Sequence, residues 1–316
     1  MTIKLKMVIE NIYMSMELCK PKGKPRRTAF PMPASRIILC NVTIAARRRT
    51  YWVLFLASCA CLALFPLLFL ELSRGGKSPV FLLRAKALGS FHFGSVVFLS
   101  HYLAAIGIGL CALYSALALG FILYSFRKTV SPEIYFFSFW VLSVGLEILR
   151  LSVFDLTLGE STAYWQIAAT KALLFARYVG YISLFASGLY AAGFRNEKLG
   201  ASAAVVIAIS FGLATATPVD TGVFAATLEL KAGYSGISSI LILVLAVITV
   251  ADYLYAAHST GEGSYRIVAL GVTVLLVGYR LLTTEWNPFG MVSGFALLFA
   301  GSWLFVSRLH AYYLWQ

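Results

Sequence analysis

Hydrophobic positions in this chain come in long unbroken stretches separated by short polar connections, with neither strand-like alternation nor a one-sided helical stripe. A helix that crosses a bilayer needs about 20 apolar residues at 1.5 Å each. Eight segments meet or approach that length: 51–72, 95–125, 133–154, 165–192, 199–217, 235–257, 267–284 and 289–308. Ser131-Pro132-Glu133 and Asn287-Pro288 each set a capping residue before a proline at the first helical position, and Thr217-Pro218 suits a helix end. The pattern predicts an all-α, polytopic integral membrane protein with about eight transmembrane helices in a compact bundle. Residues 51–309 form the transmembrane domain, preceded by a basic, disordered cytoplasmic extension over 1–50 and followed by a short cytoplasmic tail over 310–316.

Composition agrees with the pattern. Hydrophobic residues make up 60% of the chain and charged residues 12%, with a mean hydropathy of +0.82, whereas a soluble domain carries roughly a quarter charged residues. Soluble globular, disordered, collagen-like and disulfide-scaffold classes are thereby excluded. The net charge of +13 is unevenly spread: residues 1–50 hold 11 Lys and Arg against Glu10 and Glu17. Because this basicity ends in Arg47-Arg48-Arg49, flush against the first apolar run, it reads as a topology signal and not as a nucleic-acid surface. The stretch Lys20-Pro21-Lys22-Gly23-Lys24-Pro25-Arg26-Arg27 cannot hold a regular helix and suits adsorption to anionic lipid.

With the amino terminus cytoplasmic, Arg127, Lys128, Arg195, Lys198, Arg266 and Arg308 fall on the inner side of a cell membrane. The outer connections after residue 154 hold Lys231 against Asp155, Glu160, Asp220, Glu229 and Glu285. The first outer connection breaks this rule with Arg74, Lys77, Arg84 and Lys86, and its residues 78–88 fit an amphipathic helix lying on headgroups. Both termini are therefore expected in the cytoplasm. Leu56-Ala57-Ser58-Cys59 resembles a bacterial lipoprotein signal, and processing near Cys59 would instead leave seven spans with an outer amino terminus. Apolar character running on through Leu70 argues for an intact first span.

Motifs for catalysis or cofactors are weak. Gly233-Tyr234-Ser235-Gly236 and Ala257-His258-Ser259-Thr260-Gly261 resemble the serine and histidine motifs of rhomboid intramembrane proteases, but Ser235 and His258 lie 23 residues apart on one predicted helix. That separation is roughly 35 Å, far beyond the contact a nucleophile needs with its base. His92, His101, His258 and His310 do not share a depth, and the five cysteines have no zinc-like spacing with histidine, so no cofactor and no metal is expected.

Ionisable residues within the apolar segments carry the remaining signal, because charge inside a membrane is costly and so is paired or lines a functional cavity. Glu147 and Arg150 lie three apart on one helix face, Lys171 and Arg177 lie on the next span, Asp252 on the sixth and Arg280 on the seventh. Helical rise places all but Asp252 in the outer half, with Arg177 near the midplane. Glu147 is expected to pair with Lys171 or Arg150, which leaves about three positive charges unmatched. These residues, with Tyr178 and Tyr181 beside Arg177, outline an outward-facing polar cavity for a carboxylate, phosphate or lipid headgroup. Ligand binding for transport is the leading reading, a sensor module signalling through a protein partner the second, and a membrane enzyme acting on lipid the third. Beyond these, the lipid bilayer is the partner the sequence implies.

Overall fold

The structure, a computed structural model, describes residues 34–75, 90–93, 96–126, 131–158, 162–194, 199–225, 228–233, 235–261, 263–284 and 288–314. Helix α1 runs Ala34–Gly75, β1 Ser90–Phe93, β2 Val96–Leu99 and α2 Ser100–Ser125. Helices α3 (Pro132–Gly145) and α4 (Leu149–Leu158) are joined by a 3-10 turn, Leu146–Ile148. Next in the chain come α5 (Ala163–Ala191), α6 (Leu199–Ala216), β3 (Val219–Ala225), β4 (Glu229–Ala232), α7 (Ser235–Thr260), α8 (Gly263–Thr284) and α9 (Pro288–Leu314). Among the described residues eight helical segments are long and apolar enough to cross a membrane, with α3 and α4 together making one of them. Their length and composition make this a multi-pass membrane protein.

Several boundaries differ from the expectation. Helix α1 begins at Ala34, so residues 34–50 of the expected disordered extension are helical, and α9 continues to Leu314 through most of the expected tail. The second span starts at Ser100 because residues 96–99 pair with 90–93 as a hairpin. The expected surface helix over 78–88, residues 1–33 and the Asn287 cap lie outside the described residues. At α3 the cap is as expected: Ser131 Oγ accepts from the Ile134 amide at 3.3 Å, with Pro132 opening the helix.

Within residues 44–316 the third span is the most enclosed of the eight. Phe136, Phe137 and Trp140 on α3 are fully buried, and Phe137 stacks on Phe305 of α9 at 4.3 Å between ring centroids. Polar side chains join neighbouring spans where lipid offers no partner: Ser58 donates to Ser115 at 2.8 Å, Tyr114 meets Ser302 at 2.5 Å, and Ser187 meets Tyr253 at 2.6 Å. Helices α8 and α9 touch backbone to backbone through two glycines each, seven residues apart. A Cβ on Gly278 would lie 2.8 Å from the Gly294 carbonyl, and one on Gly301 2.8 Å from the Gly271 carbonyl. Leu189-Tyr190-Ala191-Ala192 and Leu254-Tyr255-Ala256-Ala257 are alike in sequence only, since Tyr190 bonds Ser202 while Tyr255 is exposed.

Two short antiparallel hairpins interrupt the helical run. The second, β3–β4, is closed at its base by the Gly233 amide on the Pro218 carbonyl at 2.8 Å. Its return side reaches into the protein: Leu228, just before β4, is wholly buried and Leu230 within it nearly so. Leu228 holds a φ of +61°, a left-handed conformation that costs a non-glycine residue of order 1–3 kcal/mol and persists where the surroundings fix it. Burial of the leucyl side chain supplies that constraint and aims the next residue, Glu229.

Candidate functional site

The site is organised around the break in the third span. Gly145 ends α3 where a side chain would collide with Ser115, since a Cβ there would stand 2.6 Å from its Oγ. The 3-10 turn after it advances each residue by 120° instead of 100°, so three residues rotate the face of α4 by roughly 60°. In such a turn positions i and i+3 eclipse, which brings Arg150 over Glu147: Arg150 Nε lies 2.5 Å from Glu147 Oε2.

Glu147 is completely buried and saturated with donors. Arg177 grips it bidentately, Nε to Oε1 at 2.8 Å and Nη2 to Oε2 at 3.0 Å, and the Tyr279 hydroxyl donates to Oε1 at 2.5 Å. Arg177 Nη2 also lies 2.6 Å from Oε2 of Glu229 on β4, and Arg150 Nε is 3.6 Å from the same oxygen. Arg150 Nη1 donates to the Thr283 carbonyl at 3.1 Å. Two arginines and two glutamates thus form a neutral quartet that ties the third and fourth spans to α8 and the hairpin. Bidentate arginine–carboxylate geometry is the arrangement in which buried charge is best compensated.

Glu229 lies outside the spans. Burial by itself would push its carboxyl up, but the guanidinium groups of Arg177 and Arg150 outweigh burial and hold it below the usual carboxylate range.

Three expectations about this region are corrected. Glu147 pairs with Arg150 and Arg177, not with Lys171, whose Nζ donates at 2.9 Å to the Thr215 carbonyl in the last turn of α6. A cation at a helix carboxyl end satisfies orphan carbonyls there. Tyr178 also faces away, its hydroxyl 3.0 Å from Ser238 Oγ and 3.5 Å from Thr217 Oγ1. Arg177 has a second carboxylate in reach, Glu229, so the expected excess of about three unmatched positive charges is reduced, and Arg150 and Arg177 are both compensated. Rise along the helices could not reveal this, because it treats connections as lying outside the spans, whereas Leu228 and Leu230 draw β4 inward. The one sequence signal was a carboxylate set between two leucines, Leu228-Glu229-Leu230, in the connection after α6.

Beside the quartet lies a cavity of about 440 Å³ between α7 and α8. Arg150, Arg177, Glu229 and Tyr279 line it, together with Tyr181, whose ring meets that of Tyr279 at 6.1 Å. Ser239, Ile242, Leu243 and Ala246 of α7 and Leu276, Val277, Arg280, Thr283 and Thr284 of α8 complete it. Of the seven residues expected to surround a cavity, Arg150, Arg177, Tyr181 and Arg280 line this one, and Glu147 lies behind it; Lys171 and Tyr178 do not. Arg280 is exposed and has no carboxylate within ion-pair distance among the described residues. No group of three or more histidine, cysteine, aspartate or glutamate side chains could hold a metal ion among the described residues. Ser235 and His258 occupy opposite ends of α7.

An uncharacterised protein of Treponema pallidum (strain Nichols) is 25% identical to this chain over 266 residues, which cover 69% of this chain and 76% of the relative. No family model matches the chain. No solved structure matches it.

Proposed function

We propose that this multi-pass membrane protein binds a small anionic or amphipathic ligand in the cavity between α7 and α8, and does so for transport. The observation that carries the reading is the cavity's composition: apolar walls, a floor of arginines held in place by carboxylates, and Arg280 at the side with no carboxylate partner among the described residues. Ligand sites have this form, a concave apolar surface with a few fixed polar groups. The quartet keeps Arg150 and Arg177 rigid, and Arg280 supplies the uncommitted charge. Purified protein screened for thermal stabilisation by organic phosphates and carboxylates tests this. Stabilisation by at least one anion in wild type, lost in Arg280→Gln, is the expected result; a response that survives Arg280→Gln removes the site. Uptake of the stabilising anion into proteoliposomes then separates transport from binding alone.

Sensing is the second reading, favoured by the 3-10 turn at Glu147. A tightened turn inside a helix often marks a hinge, and here it holds a residue bonded to two other spans. A ligand that moved Arg177 would move the third span with it. Absence of uptake together with ligand-dependent changes in a spin-label distance across the turn would favour this reading.

A further inference from the structure

We infer that the ligand of this cavity is a bilayer lipid with a single negative charge in its headgroup, entering sideways between α7 and α8. The inference rests on the ligand-binding reading above and names its ligand class and route. Two of the cavity's lining residues, Leu243 and Val277, are 63% and 48% exposed, and both sit in helices apolar enough to cross a membrane. Exposed leucine and valine inside a span face acyl chains, so the mouth between them opens on lipid.

Depth and polarity obey the same plan. From Ser239 to Ala246 on α7 and from Thr284 to Leu276 on α8, the lining extends seven and eight residues from the hairpin end, about 11–12 Å of helix against roughly 15 Å for one leaflet of hydrocarbon. Along α7 and α8 the polar lining groups Ser239, Arg280 and Thr284 are nearest the hairpin end, and Ala246, Leu276 and Val277 lie farthest from it. That is the order of headgroup and chain in a lipid that stands in one leaflet.

Charge selects the headgroup. Among the described residues of the site, Arg150, Arg177 and Arg280 stand against Glu147 and Glu229, a balance of +1. One phosphodiester or carboxylate neutralises it. A zwitterionic headgroup brings a cation that the balance does not accommodate, which disfavours it in a site of low dielectric. Glu229 then tunes affinity, because it already occupies one face of the Arg177 guanidinium.

The experiment compares retention of phosphatidylglycerol, phosphatidylcholine and soluble glycerol 3-phosphate by the full chain, using native mass spectrometry and thermal shift. Phosphatidylglycerol should be retained in preference to phosphatidylcholine. Arg280→Gln should weaken that preference about fivefold to tenfold, the effect of one cation near a membrane surface. Glu229→Gln should strengthen it while lowering thermal stability, an opposite movement that a purely structural role does not produce. Val277→Trp, a larger apolar side chain at an exposed position of the lateral mouth, should block lipid. If glycerol 3-phosphate stabilises as well as the lipid and Val277→Trp changes nothing, the ligand comes from water, and the lipid inference falls while the binding site stands. If no probe binds wild type, the binding reading falls with it.

Discussion

Glu147 receives two arginines and a tyrosine hydroxyl in a fully buried position, so its charge is the one on which the others are arranged. Glu147→Gln removes the anion and leaves Arg150 and Arg177 facing each other with only Glu229 between them. Deleting one member of a buried charge pair costs about 3–5 kcal/mol, and chemical unfolding in detergent should show a loss of that order. Lys171→Met provides the contrast, since it removes only an exposed bond to a helix end and should stay within about 0.5 kcal/mol. Glu229 adds a pH dependence. Its folded pKa is lowered, so its contribution to stability is complete above the ordinary glutamate value near 4.3 and disappears as pH falls through the lowered folded value. The stability difference between wild type and Glu229→Gln should therefore shrink under acid, and a difference unchanged between about pH 7 and about pH 3 would show that Glu229 is not held as an ion in the folded state.

At the scale of elements, the spans were legible and the links between them were not. Long apolar runs report the bilayer directly, and the helices from the third span onward begin within a few residues of the apolar segments and, α9 apart, end within a few residues of them. Hairpin β3–β4 left no such trace because its strands are short, and the 3-10 turn left none because it lies inside an apolar run, where hydropathy is blind to how tightly the backbone winds. The charged residues were legible as a group, but pairing depends on these two unseen elements, and so Arg177 could be picked out while Glu229 could not. Gly290-x-x-x-Gly294 has the spacing of a small-residue helix contact, and Gly294 packs within the chain against Gly278, as Gly301 does against Gly271. Close approach of α8 and α9 fixes the side of α8 that carries Tyr279 and Arg280. Gly278→Ala forces a methyl against the Gly294 carbonyl and the Leu298 amide, and overpacking of this kind costs about 1–3 kcal/mol. The same substitution at Gly236, where nothing lies within 4 Å of the added methyl, should leave thermal stability unchanged or slightly raised.

For the molecule as a whole, orientation decides which leaflet the cavity meets. If each span crosses, both hairpins and the quartet belong to one end, and the connections α2–α3, α5–α6 and α7–α8 to the other. Arg127, Lys128, Arg195 and Lys198 fall in the first two of those connections and Arg266 in the first turn of α8, whereas the hairpin end after the third span carries Glu160, Asp220, Glu229 and Glu285 against Lys231. Lysine and arginine near span ends are retained in the cytoplasm during insertion, and acidic residues contribute little. The hairpin end is accordingly predicted to face outward, which presents the cavity to the outer leaflet. Arg74, Lys77, Arg84 and Lys86 oppose this assignment, so the test must sample both halves of the chain. Alkaline phosphatase, active only outside the cytoplasm, should be active when inserted at residues 226–227 of the hairpin connection and inactive when fused after Gln316. The reverse pair of activities would place the cavity in the inner leaflet, and activity at both sites would mean that an even number of crossings, not the three of α7, α8 and α9, separates the hairpin from Gln316.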